Sequence, residues 1–362
     1  YALLRIDLPK LMKPKWAMVV LDEAQNIKNP MSATAQAAKQ LNAGRRLALT
    51  GTPIENRLSE IWSIFDFVSP GLLGPLNRFE QRYSRPIEAG DEKIAHRLRA
   101  TIHPFILRRT KLEVAKDLPE KMEVDRICEL TGEQRAIYLQ VAREVRSQVL
   151  GEVERHGLAR SQIHILAGLT KLRQAACDPR LLGLPKEFTD EDAGKLLALR
   201  ELVATAVDGG HKVLVFSQFV SMLKLVERAI IEDGLVHEYL DGSTKDRPER
   251  IQRFQEDDRV NVFLISLKAG GTGLNLTAAD TVIHFDPWWN PAVEQQATDR
   301  AHRIGQTRVV TAYRLLAAGT IEEKILQLKD KKQQLVSSVL SEDAGGAKKL
   351  TKADLEDLFA VD

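Results

Sequence analysis

The strongest constraint on this chain is a short apolar run that ends on two adjacent carboxylates, in the segment MVVLDEAQ at residues 18–25. Four consecutive apolar residues predict a strand buried on both faces, as in a parallel sheet. Asp22 and Glu23 follow at its carboxyl end, which is where open α/β sheets place their ligands. Two carboxylates at such an edge suit a magnesium ion and an attacking water beside a nucleotide triphosphate.

The phosphate-binding half of such a site is missing from the sequence. No segment of the form G-x-x-x-x-G-K-[ST] occurs in the 362 residues, and the single Gly-Lys pair, Gly194-Lys195, is followed by Leu196. The first residue is Tyr1 rather than methionine, so we expect the chain to begin inside a longer protein or after processing. On that expectation, a phosphate-binding loop lies upstream of Tyr1.

Strand-like and helix-like segments alternate at both ends of the chain, which predicts an α/β fold with parallel sheets. Between them, residues 76–180 show mainly helical periodicity, and residues 183–194 have the composition of a linker. A length of 362 residues favours two or three domains. The sequence therefore predicts two α/β regions separated by a helical region.

Composition restricts the function less than the motifs do. The net charge is only +2, so an anionic partner would have to meet a local basic patch. Cys128 and Cys177 are far apart and lack metal-ligand spacing, which predicts two reduced, partly buried thiols. No apolar run approaches the ~18 residues of a membrane span. We therefore predict no membrane partner.

Seven motifs occur in the order found in the SWI/SNF-family ATPases of helicase superfamily two. They are LDEAQNIKN, LTGTPIENRLSEIW, FILRRTK, VLVFSQF, LDGST, SLKAGGTGLNLTAADTVIHFDPWWNP and QATDRAHRIGQ. The chain resembles this family over essentially its whole length. The resemblance implies two RecA-like lobes flanking an ATP cleft, with helical insertions between them and the first lobe truncated at its N-terminus. It also implies an ATP hydrolase that translocates along double-stranded DNA, usually without separating the strands.

The resemblance divides the chain into four parts. Residues 1–70 form the C-terminal part of the first lobe, and residues 71–190 form helical insertions and the inter-lobe linker. Residues 191–340 form the second lobe with a bracing helix, and residues 341–362 form a tail. The upstream half of the first lobe is then a missing partner, and the isolated chain is predicted to be inactive. DEAQNIKN and RIGQ resemble bacterial members, which implies a cytoplasmic, nucleoid-associated protein, or a nuclear one if the source is eukaryotic.

By the same resemblance, the acidic motif binds ATP and Mg²⁺. Asp22 would hold the magnesium ion indirectly and Glu23 would polarise the hydrolytic water, so both are candidate metal-site and catalytic residues. Gln25 would hydrogen-bond across the cleft. Gln296 and Gly273 are the other candidate nucleotide-binding residues.

The segment QATDRAHRIGQ carries two candidate catalytic arginines. Gln296, Arg300 and Arg303 are spaced at zero, four and seven, which predicts that they lie on one face of a helix. By itself, an arginine-rich helix is usually a solvated surface. The resemblance implies instead that Arg300 and Arg303 are arginine fingers reaching the γ-phosphate, a task that suits a planar, permanently charged guanidinium.

A second set of residues is implied to contact the DNA backbone. Small polar residues, a lysine and backbone amides exposed by glycines suit phosphates. Tight turns also need glycine, so the Gly-rich loop has a purely structural alternative. Of the adjacent residues Trp288 and Trp289, one is expected to pack between the lobe and the insertion and the other to contact DNA. The candidate DNA contacts are Thr50, Thr52, Ser217, Gln218, Lys268, Gly270, Gly271, Thr272 and Trp289.

Three interpretations remain open at this level. FILRRTK, with Arg108, Arg109 and Lys111, is either a solvated basic surface or a strut that joins the insertion and a lobe to DNA or nucleotide. The whole chain is either a motor component or a nonhydrolysing DNA-binding or scaffold module. A strand-separating helicase would use the same ATP hydrolysis but would unwind the duplex.

Overall fold

The computed structural model describes residues 1–51, 58–109, 111–157, 160–270, 273–288, 291–326 and 358–360. The chain divides into two compact units, and the division falls between Arg108 and Arg109. Within these ranges, no helix has both the length and the apolar character that crossing a bilayer requires.

The first unit is built on a two-stranded parallel sheet. Strands β1 (Trp16–Leu21) and β2 (Ala43–Ala48) pair so that Leu21 lies opposite Ala48. The helices of this unit are α1 (Ala2–Ile6), α2 (Leu8–Leu11), α3 (Ala33–Lys39), α4 (Leu58–Val68), α5 (Leu76–Phe79), α6 (Arg85–Glu88) and α7 (Glu92–Ile102). The predicted alternation of strands and helices is therefore confirmed for residues 16–68, which form β1, α3, β2 and α4 in that order.

The prediction that β1 is buried on both faces is wrong for this unit. Leu21 is only 7% exposed and packs with Ile64 and Phe67 of α4, whereas Met18 and Val20 are 49% and 47% exposed. Because side chains alternate along a strand, one face of the sheet is covered by helices and the other is left open. That open apolar face consists of Trp16, Met18, Val20 and Leu47 and is called the open sheet face below.

The second unit contains a six-stranded, fully parallel sheet with the order β3-β8-β7-β4-β6-β5. The strands are β3 (Lys121–Cys128), β4 (Val213–Ser217), β5 (His237–Leu240), β6 (Val262–Ser266), β7 (Thr281–His284) and β8 (Val310–Ala317). Every residue of β4, β6 and β7 is buried, as expected for the central strands of a parallel sheet. Strands β5 and β6 lie on one side of β4, while β7, β8 and β3 lie on the other.

Helices cover this sheet and extend beyond it. They are α8 (Lys111–Val114), α9 (Gly132–His156), α10 (Gln162–Cys177), α11 (Gly194–Asp208), α12 (Val220–Glu232), α13 (Arg247–Glu256), α14 (Leu267–Gly270) and α15 (Pro291–Thr298). Residues 321–326 are also helical, with Ile321 and Ile325 buried. The remainder of the predicted bracing helix lies outside the described residues.

Strand β3 was not predicted, because it lies in the stretch whose periodicity indicates helices. It pairs with β8 along its whole length at the edge of the sheet. An edge strand with alternating charged and apolar residues, KMEVDRIC, carries little of the apolar signal that identifies the central strands. The proposed boundaries at residues 70, 190 and 340 remain predictions.

The start of α9 shows how the insertion is tied to the second unit. Thr131 caps the helix by accepting a hydrogen bond from the Gln134 amide at 3.1 Å, as its sequence spacing predicts. The Gln134 side chain does not return to Thr131 but donates to the carbonyls of Ala175 and Ala176 on α10, at 3.1 and 3.2 Å. The same side chain therefore closes the α9–α10 hairpin.

Candidate nucleotide and DNA site

The acidic motif lies where the sequence predicts it, directly after β1. Asp22 is exposed, and its Oδ1 accepts a hydrogen bond from the Glu23 amide at 2.9 Å. Glu23 has φ 49° and ψ 50°, and among the described residues it is the only non-glycine residue with positive φ. Such a backbone costs on the order of 1–3 kcal/mol and is held where the surrounding structure imposes it, often at functional sites.

A chain of side-chain hydrogen bonds links this motif to the end of β2. Gln25 Nε2 donates to Glu23 Oε2 at 2.6 Å, and Thr50 Oγ1 donates to Gln25 Oε1 at 2.8 Å. An amide can accept from a hydroxyl and donate to a carboxylate at the same time. Gln25 therefore connects the acidic motif to LTGTP, while Thr52 lies outside the described residues.

Tyr1 holds the backbone of the acidic motif, a contact that the sequence did not reveal. Its hydroxyl donates to the Asp22 carbonyl at 2.6 Å. Burial, with the negative charges of Asp22 and Glu23, raises the pKa of Tyr1 to about 12. The phenol therefore stays protonated and keeps its donor over the physiological pH range.

The acidic motif fits a magnesium ion shared with a nucleotide. The described residues contain no group of three or more His, Cys, Asp or Glu that could hold a metal by themselves. Magnesium in phosphoryl-transfer sites usually takes one or two carboxylates and fills its shell with water and phosphate oxygens. The exposed Asp22 and the adjacent Glu23 supply two such carboxylates.

The Gly194-Lys195 pair has a structural role. Lys195 is fully buried, and its ammonium donates to both carboxylate oxygens of Glu322 at 2.8 and 2.9 Å. A Cβ on Gly194 would lie 2.0 Å from the Glu129 carbonyl oxygen, so close packing requires glycine there. This pair therefore cannot serve as the phosphate-binding glycine and lysine of an ATP site.

The prediction that Gln296, Arg300 and Arg303 share one helical face is wrong. Helix α15 ends at Thr298, after the half-buried Gln296 and before both arginines. Beyond Thr298 the Arg300 carbonyl accepts from the Leu276 amide at 2.9 Å, a contact outside the helix.

As a result, the two arginine side chains lie in different environments. Arg300 is 7% exposed, with Nη1 3.5 Å from the Leu274 carbonyl, whereas Arg303 is exposed. Residues 299–306 are called the arginine segment below.

Gln306 fixes the end of the arginine segment and was missed at the sequence level. Its Nε2 lies 3.1, 2.8 and 3.2 Å from the carbonyls of Thr277, Ala279 and Ala301. Only 6% of the residue is exposed. Gln306 therefore joins the arginine segment to the chain that follows the Gly-rich loop, a contact between residues too far apart in sequence for any local pattern to predict.

The described part of the Gly-rich loop combines an exposed charge with tight packing. Lys268 is exposed on α14. A Cβ on Gly270 would lie 2.9 Å from Phe216 Cε1, so this glycine is required by packing, and Gly273 has φ +50°. Gly271 and Thr272 lie outside the described residues.

A buried polar cluster lies at the carboxyl ends of β4 and β7. Ser217 is fully buried and donates to Asp286, which also accepts from the Gln218 amide at 3.3 Å. A direct phosphate contact by the Ser217 hydroxyl would require that bond to open. Arg173 of α10 pairs with Asp286 at 3.2 Å, and its guanidinium lies 5.6 Å from the Trp288 ring.

This cluster binds the insertion to the central strands of the second unit. Burial raises the pKa of Asp286, while the charge of Arg173 and the Ser217 hydrogen bond act in the opposite direction. Trp288 is partly buried against the core, which agrees with an internal packing role for one tryptophan of the pair. Trp289 lies outside the described residues.

Comparisons with known proteins agree with this architecture. The family model of the SNF2-related domain matches residues 1–181, and that of the helicase conserved C-terminal domain matches residues 194–305. The chain is 41% identical over 363 residues to an uncharacterized ATP-dependent helicase of Mycoplasma pneumoniae, covering 99% of this chain and 34% of that protein. It is 41% identical over 370 residues to the putative ATP-dependent helicase/translocase YwqA of Bacillus subtilis, covering 100% of this chain and 39% of that protein.

A solved structure also matches this chain over its whole length. The SWI2/SNF2 ATPase core of Sulfolobus solfataricus in complex with dsDNA is 39% identical, with a TM-score of 0.56, over 100% of this chain and 76% of that chain. The fold and these matches define a parallel-sheet α/β protein of the helicase class, with the architecture of a SWI2/SNF2 ATPase core and its two RecA-like lobes, as the motifs predicted. Within that class, the chain belongs to the SWI2/SNF2 family. It spans only 34–39% of the length of the two curated relatives.

Proposed function

We propose that this chain is the larger part of a motor that hydrolyses ATP to translocate along double-stranded DNA without separating the strands. The observation that carries the proposal is the hydrogen-bonded series of Glu23, Gln25 and Thr50 at the carboxyl ends of β1 and β2. It links an acidic pair suited to hydrolysis with Thr50, one of the candidate DNA contacts. The dsDNA complex of the Sulfolobus relative supports duplex DNA as the partner.

Within the ATP site, Asp22 would hold Mg²⁺ and Glu23 would orient the hydrolytic water. The bound ion supplies charge neutralisation on the phosphate oxygens. Glu23 is suited to its role because its backbone is fixed by hydrogen bonds and its carboxylate is already oriented by Gln25. Through its two hydrogen bonds, Gln25 would couple the position of the Glu23 carboxylate to that of the Thr50 hydroxyl.

The second lobe would supply the charges that stabilise the transition state. Arg303 is exposed and would reach the γ-phosphate, whereas Arg300 would act from its buried position beside the Leu274 carbonyl. Gln296 and Gly273 would complete the nucleotide contacts of this lobe. The different burial of the two arginines favours a larger catalytic effect for Arg303.

The remainder of the first lobe would cover the open sheet face. That face exposes a cluster of large apolar side chains, including Met18 at 49% and Val20 at 47%, next to the acidic motif. Exposed apolar clusters of this kind usually mark a packing surface. Residues encoded upstream of Tyr1 would pack there and bring the phosphate-binding loop to Asp22 and Glu23.

DNA binding should be independent of base sequence and strongly dependent on salt. The proposed contacts are Thr50, Thr52, Gln218, Lys268 and Trp289 together with the amides of residues 270–272, and these groups suit phosphates better than base edges. Fluorescence anisotropy should show a fall in affinity of at least about tenfold between about 50 and 200 mM salt. Random duplexes should differ by less than about tenfold in affinity.

The charge contribution of Lys268 provides a sharper form of this measurement. Lys268→Ala should reduce the slope of log affinity against log salt by about one, because one phosphate contact is lost. Lys186→Ala is the matched control, since the Lys186 ammonium already pairs with Glu133. Binding that selects one duplex by much more than tenfold would contradict backbone recognition.

Translocation is tested by triplex displacement in the full-length protein. ATP should drive removal of a third strand from duplex DNA, and the same preparation should leave a forked duplex paired. Glu23→Gln should remove the ATP-driven displacement while duplex binding persists. Unwinding of the forked duplex would favour a strand-separating helicase, and displacement without ATP turnover would favour a nonhydrolysing binding module.

A further inference from the structure

Lys111, of the FILRRTK motif, contacts the arginine segment at two points. Its Nζ lies 2.6 Å from Asp299 Oδ1 and donates to the His302 carbonyl at 2.8 Å. Asp299 precedes Arg300, and His302 precedes Arg303. One ammonium therefore holds the residues immediately before both arginines.

A second tether comes from the same stretch of chain. His302 Nε2 lies 2.8 Å from the Pro119 carbonyl. Pro119 is eight residues beyond Lys111, and both precede strand β3. The arginine segment is thus fixed on one side by the chain that opens the second unit and on the other by Gln306 and the loop after the glycines.

Lys111 lies next to the division between the two compact units. The division between the two compact units falls between Arg108 and Arg109, two residues before Lys111. Lys111, at the start of α8, is therefore bound directly to the segment that carries both arginines. Helix α15 has ended at Thr298, and beyond it the backbone makes turn hydrogen bonds, such as that from the His302 amide to the Thr298 carbonyl at 3.1 Å.

We propose that Lys111 is a positioning residue for the arginine segment, acting through Asp299 and the His302 carbonyl to set the geometry of Arg300 and Arg303. The proposal rests on the proposed finger role of these arginines. A lysine suits this task because its ammonium can donate to a carboxylate and a carbonyl at once. Misplacement of a catalytic group by about 1 Å can cost on the order of a hundredfold in rate.

Loss of these contacts should alter catalysis much more than folding. The side chains of Lys111 and Asp299 are 42% and 28% exposed, and partly exposed ion pairs contribute little to stability. Lys111→Met retains the aliphatic stem and removes the charge and the donors. In the full-length protein, we expect this variant to lower kcat about tenfold at unchanged KM for ATP and unchanged duplex affinity.

The pairing is tested by a double-mutant cycle. Asp299→Asn should also lower kcat, and the Lys111→Met/Asp299→Asn double variant should be no worse than Lys111→Met alone, because both remove one interaction. Asp125→Asn is the matched control: Asp125 pairs with Arg314 at 2.6 Å in the same unit, with 35% of its side chain exposed. It should keep kcat within about twofold of wild type, and multiplicative effects in the cycle would contradict a shared role.

Hydrogen exchange provides a readout that is separate from activity. Lys111→Met should raise amide exchange across residues 299–306, while exchange in β4 and β6 stays unchanged. Unchanged exchange in the arginine segment, or raised exchange with wild-type kcat, would overturn the inference. Failure of the finger assignment itself would appear separately, as retained turnover in Arg303→Ala.

Discussion

Replacing Arg303 with alanine in the full-length protein is expected to abolish DNA-stimulated ATP hydrolysis while nucleotide affinity stays nearly unchanged. Arg303 is the exposed arginine of its segment, and an arginine finger acts mainly on charge that develops in the transition state. Such residues contribute roughly a thousand- to a hundred-thousand-fold in rate. Steady-state ATPase assays with saturating duplex DNA and equilibrium binding of a nucleotide analogue measure the two effects separately.

The control for this substitution is another exposed arginine of the second unit. Arg259 is paired with Asp257 at 2.8 Å and belongs to none of the proposed sites. Arg259→Ala should retain normal turnover, which shows that loss of one surface arginine is tolerated. If Arg303→Ala kept even a tenth of wild-type turnover, the finger assignment would be wrong.

The parts of the fold that the sequence predicted are those with strong local signals. Strands β4 and β6 begin with apolar runs of four residues, and both are fully buried in a parallel sheet. The adjacent carboxylates Asp22 and Glu23 follow an apolar run and lie at the carboxyl end of β1. In these places, the residue pattern along a few positions is enough to define the structure.

Predictions based on local pattern were wrong where distant contacts determine the structure. The spacing of Arg300 and Arg303 is helical, but the Arg300 carbonyl bonds to the Leu276 amide and α15 stops at Thr298. The apolar residues of β1 suggested burial on both faces, which depends on how many elements pack on the sheet. Sequence periodicity indicates neither a long-range backbone contact nor the number of elements that pack on a sheet.

The partners of the residues that hold the site in place could not be predicted from the sequence. Tyr1 reaches the Asp22 carbonyl across 21 positions of sequence, and Lys111 reaches the His302 carbonyl across 191. Gln306 makes its contacts through one amide to three separate carbonyls. A single sequence shows these side chains, but only the folded backbone identifies their partners.

The second large effect concerns this chain on its own: residues 1–362 are expected to show no ATPase activity above background, with or without duplex DNA. A phosphate-binding loop supplies amides around the phosphates, a lysine on the β- and γ-groups and a hydroxyl on magnesium. No segment of this sequence has that form, and Lys195 of its only Gly-Lys pair is committed to Glu322. Asp22 and Glu23 would therefore face an incomplete pocket.

The open sheet face adds a folding consequence to this expectation. Its exposed apolar residues lie on a two-stranded sheet, which is marginal without further packing and prone to association. The isolated chain should therefore aggregate through its first unit. The six-stranded second unit should keep its protection against hydrogen exchange.

The most direct test compares magnesium-dependent ATP turnover of residues 1–362 with that of a longer protein that also carries the upstream half of the first lobe proposed above. We expect background activity from the chain alone. We expect DNA-stimulated turnover from the extended protein, and its loss in the Glu23→Gln variant of that protein. Robust turnover by residues 1–362 that disappears with Glu23→Gln would contradict the proposal, because the chain would then contain a phosphate-binding site of its own.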